Sequence, residues 1–221
     1  MKDDNWDLIT GDDAHEIEVL NYSSQVNTIE ALVRYIIHHN GADENGCANH
    51  PNEMSFRELH RIGTLFLLKA PGEYRQTSVV VAKEDGTVVH APPEHGTVPD
   101  HMSKLFSDLG LMWRSASAVE IGAFLLWRIN WVHPFKNGNG RTARAFCYAC
   151  VCLKFGFVLP GTATLIELVV KNRQEYQHVL NLADASQAAT GVADLTAMNK
   201  FVDRLLREQF LSIPISQSVT E

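Results

Sequence analysis

Apolar residues recur at helical spacing along most of this chain and at strand spacing in one short stretch. Ile29, Leu32, Val33, Ile36 and Ile37 fall on one helical stripe. Asn27 is placed to cap its start, Glu30 completes a capping-box pattern, and Gly41 supplies a stop. The residues before Asn27, from 1 to 26, are acidic and poorly periodic and read as an arm, while 40–53 reads as a loop. Phe56, Leu59, Ile62, Gly63 and Phe66 form the apolar side of a helix predicted from Phe56 to Leu68, ended by Pro71 and Gly72.

The pattern then changes. Thr77–Ala82 is a β-branched run, 83–86 is turn material, and Thr87–His90 returns as a second strand, which predicts a hairpin. Two strands alone make a marginal sheet, so the hairpin must lean on helices. Pro92, Pro93 and Pro99 predict an irregular stretch after it. Ser117 and Glu120 form another capping box ahead of a helix that runs to Val132, where Pro134 disfavours helix at His133. A helix from about Gly140 or Arg141 to Phe155 ends at Gly156, and two more follow, near Thr164–Leu182 and Asp194–Leu211. The predicted fold is all-α: a helical bundle carrying one small β-hairpin. The division read from it is an N-terminal arm and helix over 1–54 packed on the core, a main domain over 55–212, and a tail over 213–221.

Composition narrows what such a bundle can do. With 45% hydrophobic residues in 221, a sizeable core can be buried. The net charge of −7 comes with no Lys/Arg run, which argues against nucleic acid as a partner. The start lacks the basic and apolar regions of a secretion signal, and no apolar run approaches membrane-spanning length, so neither secretion nor a membrane is expected. Of four cysteines, Cys147, Cys150 and Cys152 crowd one helix and read as core, while Cys47 stands apart; a reduced, cytoplasmic protein is expected.

Chemistry concentrates in residues 133–144, HPFKNGNGRTAR, between two predicted helices. Gly138 and Gly140 can adopt positive φ and let backbone N–H groups converge on an anion. The helix that follows adds its N-terminal donors and dipole at the same place. Arg141 and Arg144 sit one turn apart, and guanidinium forks suit phosphate oxygens. Asn139 can donate from its amide, and His133 can accept a proton near neutral pH. Gly138, Gly140 and Ala143 also satisfy the dinucleotide-binding fingerprint G-x-G-x-x-G/A, but that pattern must follow a strand, and here a capped helix precedes it. Taken singly, each feature is ordinary: Gly-Asn-Gly is a turn, a histidine at a helix end is a cap, and paired arginines make a solvated face. His90, His95 and His101 read as solvated loop histidines, and Trp127 and Trp131 as core.

The segment resembles the signature of the Fic family, H-x-F-x-[DE]-G-N-G-R-x-x-R, with matches at His133, Pro134, Phe135, Gly138, Asn139, Gly140, Arg141 and Arg144. Gly72, Glu73, Tyr74 and Arg75 before the hairpin, and 91–93 and 98–102 after it, resemble the family's flap region, so the likeness covers roughly 55–160. The resemblance implies a helical fold and a protein adenylyltransferase, which moves AMP from ATP onto a Ser, Thr or Tyr hydroxyl of a target protein. His133 is then the base, and Gly138, Asn139, Gly140, Arg141 and Arg144 hold the phosphates, with Arg141 also catalytic. Thr77, Ser78, Val79, Val80 and Val81 are implied to pair with target backbone.

Asn137 stands where the family has the acidic ligand of the Mg²⁺ that accompanies ATP, which leaves a weak, atypical metal ligand. That departure keeps open the transfer of another phosphate-containing group, and a silent nucleotide- or partner-binding module. The family's inhibitory motif, [ST]-x-x-x-E-[GN], has no full match: only Glu44 is followed by Gly or Asn, and Glu30 is followed by Ala31. No strong self-inhibition through that motif is expected, with Glu44 a weak candidate, and control would come from a separate inhibitory partner or from the weakened metal site.

Overall fold

The structure is a computed structural model that describes residues 6–39, 49–82 and 85–214. Its elements in chain order are α1 (Gly11–His39), α2 (Glu53–Gly63), β1 (Val81–Ala82), β2 (Val88–His90), α3 (Val98–Met112), α4 (Ala118–Val132), α5 (Asn139–Phe155), α6 (Leu165–Lys171), α7 (Arg173–Thr190) and α8 (Thr196–Leu211). A single 3-10 turn, His95–Thr97, leads into α3. The expected class holds: among the described residues the fold is helical, with one antiparallel hairpin in which Val81 faces His90.

Helix α5 is the axis of the bundle, buried almost all round from Thr142 to Leu153, as a central helix must be. Helix α4 lies close along it because Gly122 lets the two approach: a Cβ there would sit 3.3 Å from Val151 and Val202 and 3.4 Å from the Cys147 thiol. Cys147, Cys150 and Cys152 are free and buried, and burial pushes all three thiols up, away from reactivity. Cys47 lies outside the described residues. Helices α1 and α2 cover α5 on one side and α6 on another, while α7 and α8 close the bundle behind α4.

Four expectations are corrected. The N-terminal region is not an arm up to Asn27: α1 starts at Gly11 and runs straight through Asn27. Its early inward face uses polar groups, with Asn21 Nδ2 donating to Leu65 O at 2.8 Å and Gln25 Nε2 to Leu59 O at 2.7 Å. A search for apolar period passes over such residues. The stretch around the prolines is irregular only over 91–94, because Pro99 sits in the first turn of α3, where its missing N–H costs nothing; Met102, Leu105 and Leu109 are buried below it. The strand expected over Thr77–Ala82 is regular only at Val81 and Ala82. The helix expected over Thr164–Leu182 breaks at Asn172, which ends α6 and begins α7.

Candidate active site

The turn between α4 and α5 is held in an uncommon conformation at both ends. The capping box of Ser117 and Glu120 starts α4 as the sequence implies. Its last residue, Val132, is followed by His133 in the left-handed region at φ 50°, ψ 58°. A non-glycine residue there requires support from its surroundings. Gly138 also takes positive φ, 77°, and a Cβ on it would meet Thr64 Cγ2 at 2.6 Å, so only glycine fits. Phe135 pins the turn to the core: it is fully buried, stacked on His60 at 3.5 Å between centroids and on Phe56 at 5.4 Å.

Two further residues build the turn, one of them unforeseen. His60 is buried, accepts from Gly72 N–H on Nδ1 at 2.8 Å and so donates from Nε2 to the Asn137 carbonyl at 2.9 Å. Burial, with Arg141 adding to it, pushes His60 down to about 4 and keeps it neutral. Asn139 closes its amide on the backbone of Phe135, accepting from its N–H and donating to its carbonyl, both at 2.8 Å. The amide expected to reach an anion therefore shapes the loop instead. What Asn139 offers an anion is its place in the first turn of α5, where N–H groups lack intrahelical acceptors.

The turn borders a cleft of about 830 Å³. His133, Gly138, Asn139, Gly140, Arg141 and Arg144 all line it, so the structure brings together the residues singled out in the sequence. Val79, Val80 and Val81 line its rim, while Thr77 and Ser78 do not; Ser78 lies 3.5 Å from His95. Arg173, Tyr176 and Asn130 also line it, from α7 and α4, and no local pattern in the sequence marks them. The Tyr176 hydroxyl and the Asn130 amide hold one another at 2.9 Å.

Charge around the cleft is strongly cationic. Arg144 is half-buried, its Nε is buried without a partner, and among the described residues no carboxylate pairs with it. A buried unpaired guanidinium is costly unless an anion completes it. Arg141 donates to Gly63 O at 2.9 Å, lies over the Trp6 ring at 5.1 Å and meets Glu18 at 3.5 Å. His133 is half-buried; burial first, then His90 and Arg75, push it down to about 4 against a raising contact with Asn130. It is therefore neutral and able to accept a proton at neutral pH.

His90, at the end of β2, and His101 are not loose loop histidines. His90 Nε2 lies 2.8 Å from Trp131 O and its Nδ1 3.5 Å from the Asp184 carboxylate, and His101, on α3, meets the Arg128 guanidinium at 3.3 Å.

A resident metal does not fit this donor set. Asn137 turns its Oδ1 onto Gly138 N–H at 2.6 Å, and among the described residues no cluster of three His, Cys, Asp or Glu could hold an ion. A single amide oxygen already accepting a hydrogen bond is a poor anchor for a hard cation.

Residues 52–151 match the Fic/DOC family. No curated protein sequence matches the chain. Among solved structures, a Fic-domain signalling protein from Bacteroides thetaiotaomicron aligns with TM-score 0.67 at 20% identity over 88% of this chain and 70% of its own. A Fic family protein from Desulfovibrio desulfuricans aligns with TM-score 0.60 at 21% identity over 85% of this chain. A segment of Fic-1 from C. elegans aligns with TM-score 0.56 at 19% identity over 88%. The chain spans about half of the length of the last two, 52% and 48%. At these identities the likeness is one of fold.

Proposed function

We propose, on the premise that this chain carries a Fic/DOC family domain, that it is a nucleotidyltransferase moving AMP from ATP onto a hydroxyl side chain of a target protein. The observation that carries the reading is the convergence on one cleft of a neutral histidine, a glycine-shaped helix N-terminus and an arginine whose Nε is buried without a partner. His133 takes the proton of the attacking hydroxyl. The hydroxyl oxygen bonds to the α-phosphorus as the bond from that phosphorus to the bridging oxygen breaks, and pyrophosphate leaves. The first turn of α5 holds the phosphates, and Arg144 and Arg141 stabilise the charge that gathers on the leaving group. The valines at the cleft rim offer exposed backbone for the target's strand. Mg²⁺ travelling with the nucleotide would supply charge neutralisation; the protein's own part in the step is carried by the arginines and helix N–H groups.

Asn137 favours one second reading. Its neutral, occupied side chain suits transfer of a different phosphate-containing group. Intact-mass measurement of the chain and of candidate acceptor proteins after incubation with a panel of nucleotides decides between them. Addition of AMP supports the first reading, another addition the second, and none with any nucleotide points to a binding module.

A further inference from the structure

Among the described residues, two side chains and one backbone N–H, from His90 and Arg75, occupy four successive carbonyls, from Trp131 to Pro134. His90 Nε2 meets Trp131 O at 2.8 Å, and Arg75 takes the other three. The guanidinium of Arg75 donates from Nε to His133 O at 2.8 Å and from Nη2 to Val132 O at 3.5 Å, and its backbone N–H donates to Pro134 O at 2.8 Å. The same fork reaches back to its own strand approach, from Nη1 to Thr77 O at 3.1 Å and from Nη2 to Pro93 O. Arg75 is only 4% exposed, and among the described residues no carboxylate pairs with it. Its compensation is the negative end of α4, whose last carbonyls have no intrahelical donors.

This arrangement meets a specific need. His133 is held at φ 50°, a conformation that non-glycine residues keep only when their neighbours fix it. A planar fork bonded to the carbonyls on both sides of that backbone, and a main-chain N–H on the next one, fix it from three directions. We infer that Arg75 is a positioning residue for His133: it locks the left-handed end of α4 so that the imidazole faces the cleft, and ties that end to both sides of the hairpin. The inference rests on the reading of His133 as the base. The charged and titratable groups that bear on His133 are Arg75 before β1 and His90 on β2, and His90 in turn lies 3.5 Å from the Asp184 carboxylate on α7. Arg75 and His90 both disfavour the protonated ring.

The test compares Arg75→Gln and Arg75→Lys with the unmodified protein. The His133 ring titration is followed by NMR on histidine-labelled protein, assigned with His133→Asn, alongside kcat and nucleotide KM. In Arg75→Gln the ring titration moves to higher pH, kcat falls by about 10²-fold, the scale of a small misplacement of a reacting group, and KM stays near its unmodified value. Arg75→Lys keeps the ring titration low but does not restore kcat, because an ammonium carries the charge without the fork. A part in general stability alone would lower the unfolding temperature and leave the ring titration in place. A folded Arg75→Gln protein with unchanged titration and unchanged kcat overturns the inference. So does a crystal structure of the unmodified protein in which Arg75 leaves the carbonyls of Val132 and His133, a measurement that serves if neither variant folds. The ring titration needs no substrate. A shifted titration in a protein that transfers nothing sustains the positioning role and overturns the transferase reading alone.

Discussion

Glu18, near the start of α1, lies 3.5 Å from the Arg141 guanidinium and accepts from Trp6 Nε1 at 2.7 Å, while Trp6 itself lies under the same guanidinium. One carboxylate thus answers part of the charge that the proposed phosphate site requires. Glu18, followed by Val19, does not match the inhibitory motif. Glu44 lies outside the described residues, and Glu30 pairs with Arg34 at 3.8 Å on α1 itself.

Replacing Glu18 therefore releases Arg141. The pair is about one-fifth exposed on both sides, and such pairs are worth about 1 kcal/mol or less. Glu18→Gln is expected to tighten nucleotide binding by up to about five-fold, measured by calorimetry, with a matching change in transfer at low nucleotide. A gain of several orders of magnitude would mean that α1 obstructs the site bodily instead of competing for one charge.

His133→Ala is expected to keep the fold and nucleotide binding while transfer falls by about 10² to 10⁴. In the unmodified protein the ring titrates at about 4, so the base is unprotonated across neutral pH. The acid limb of the rate profile should fall as pH drops through about 4, well below an ordinary histidine. A limb centred near 6.5 would place another group in the role.

His60 predicts an acid sensitivity in stability. Its ring is neutral in the fold to about 4, whereas in the unfolded chain it protonates below about 6.5. Between those values the unfolded state binds the additional proton, so stability falls as pH falls through that window and levels off below about 4. The loss from this one group is on the order of 3 kcal/mol. Urea unfolding at neutral pH and at about pH 4 should show a smaller difference for His60→Gln than for the unmodified protein. An equal difference in both would remove His60 from the account.

Asn137→Asp places a charged oxygen beside the phosphate nest, and hard cations favour carboxylates. The variant is expected to show stronger Mg²⁺ dependence and faster AMP transfer, with the advantage shrinking as Mg²⁺ is raised and mass action saturates the weaker site. Superimposable Mg²⁺ titrations would mean that the side chain stays on Gly138 N–H and never meets the metal. A variant slower at every concentration would favour transfer of a different group.

What the sequence determined by itself was local. Helical period, the Ser117–Glu120 capping box, Gly156 as a stop and the glycines around Asn139 are short-range rules, and α4, α5 and the turn between them follow from them. The contiguous run from His133 to Arg144 was legible for the same reason, since its chemistry sits on neighbouring residues. Tertiary structure decided the rest. Asn21, Gln25 and His60 look like surface residues until α1 and α2 pack and bury them against backbone partners far along the chain. Pro99 signals a break in isolation, yet it starts α3 because the core takes Met102, Leu105 and Leu109 beneath it. Arg75 and His90 stand far from His133 in sequence, and only the folded chain sets them on the carbonyls that end α4. Hydrogen bonds between distant segments leave no periodic trace, because periodicity records which face of an element is buried and not what that face touches.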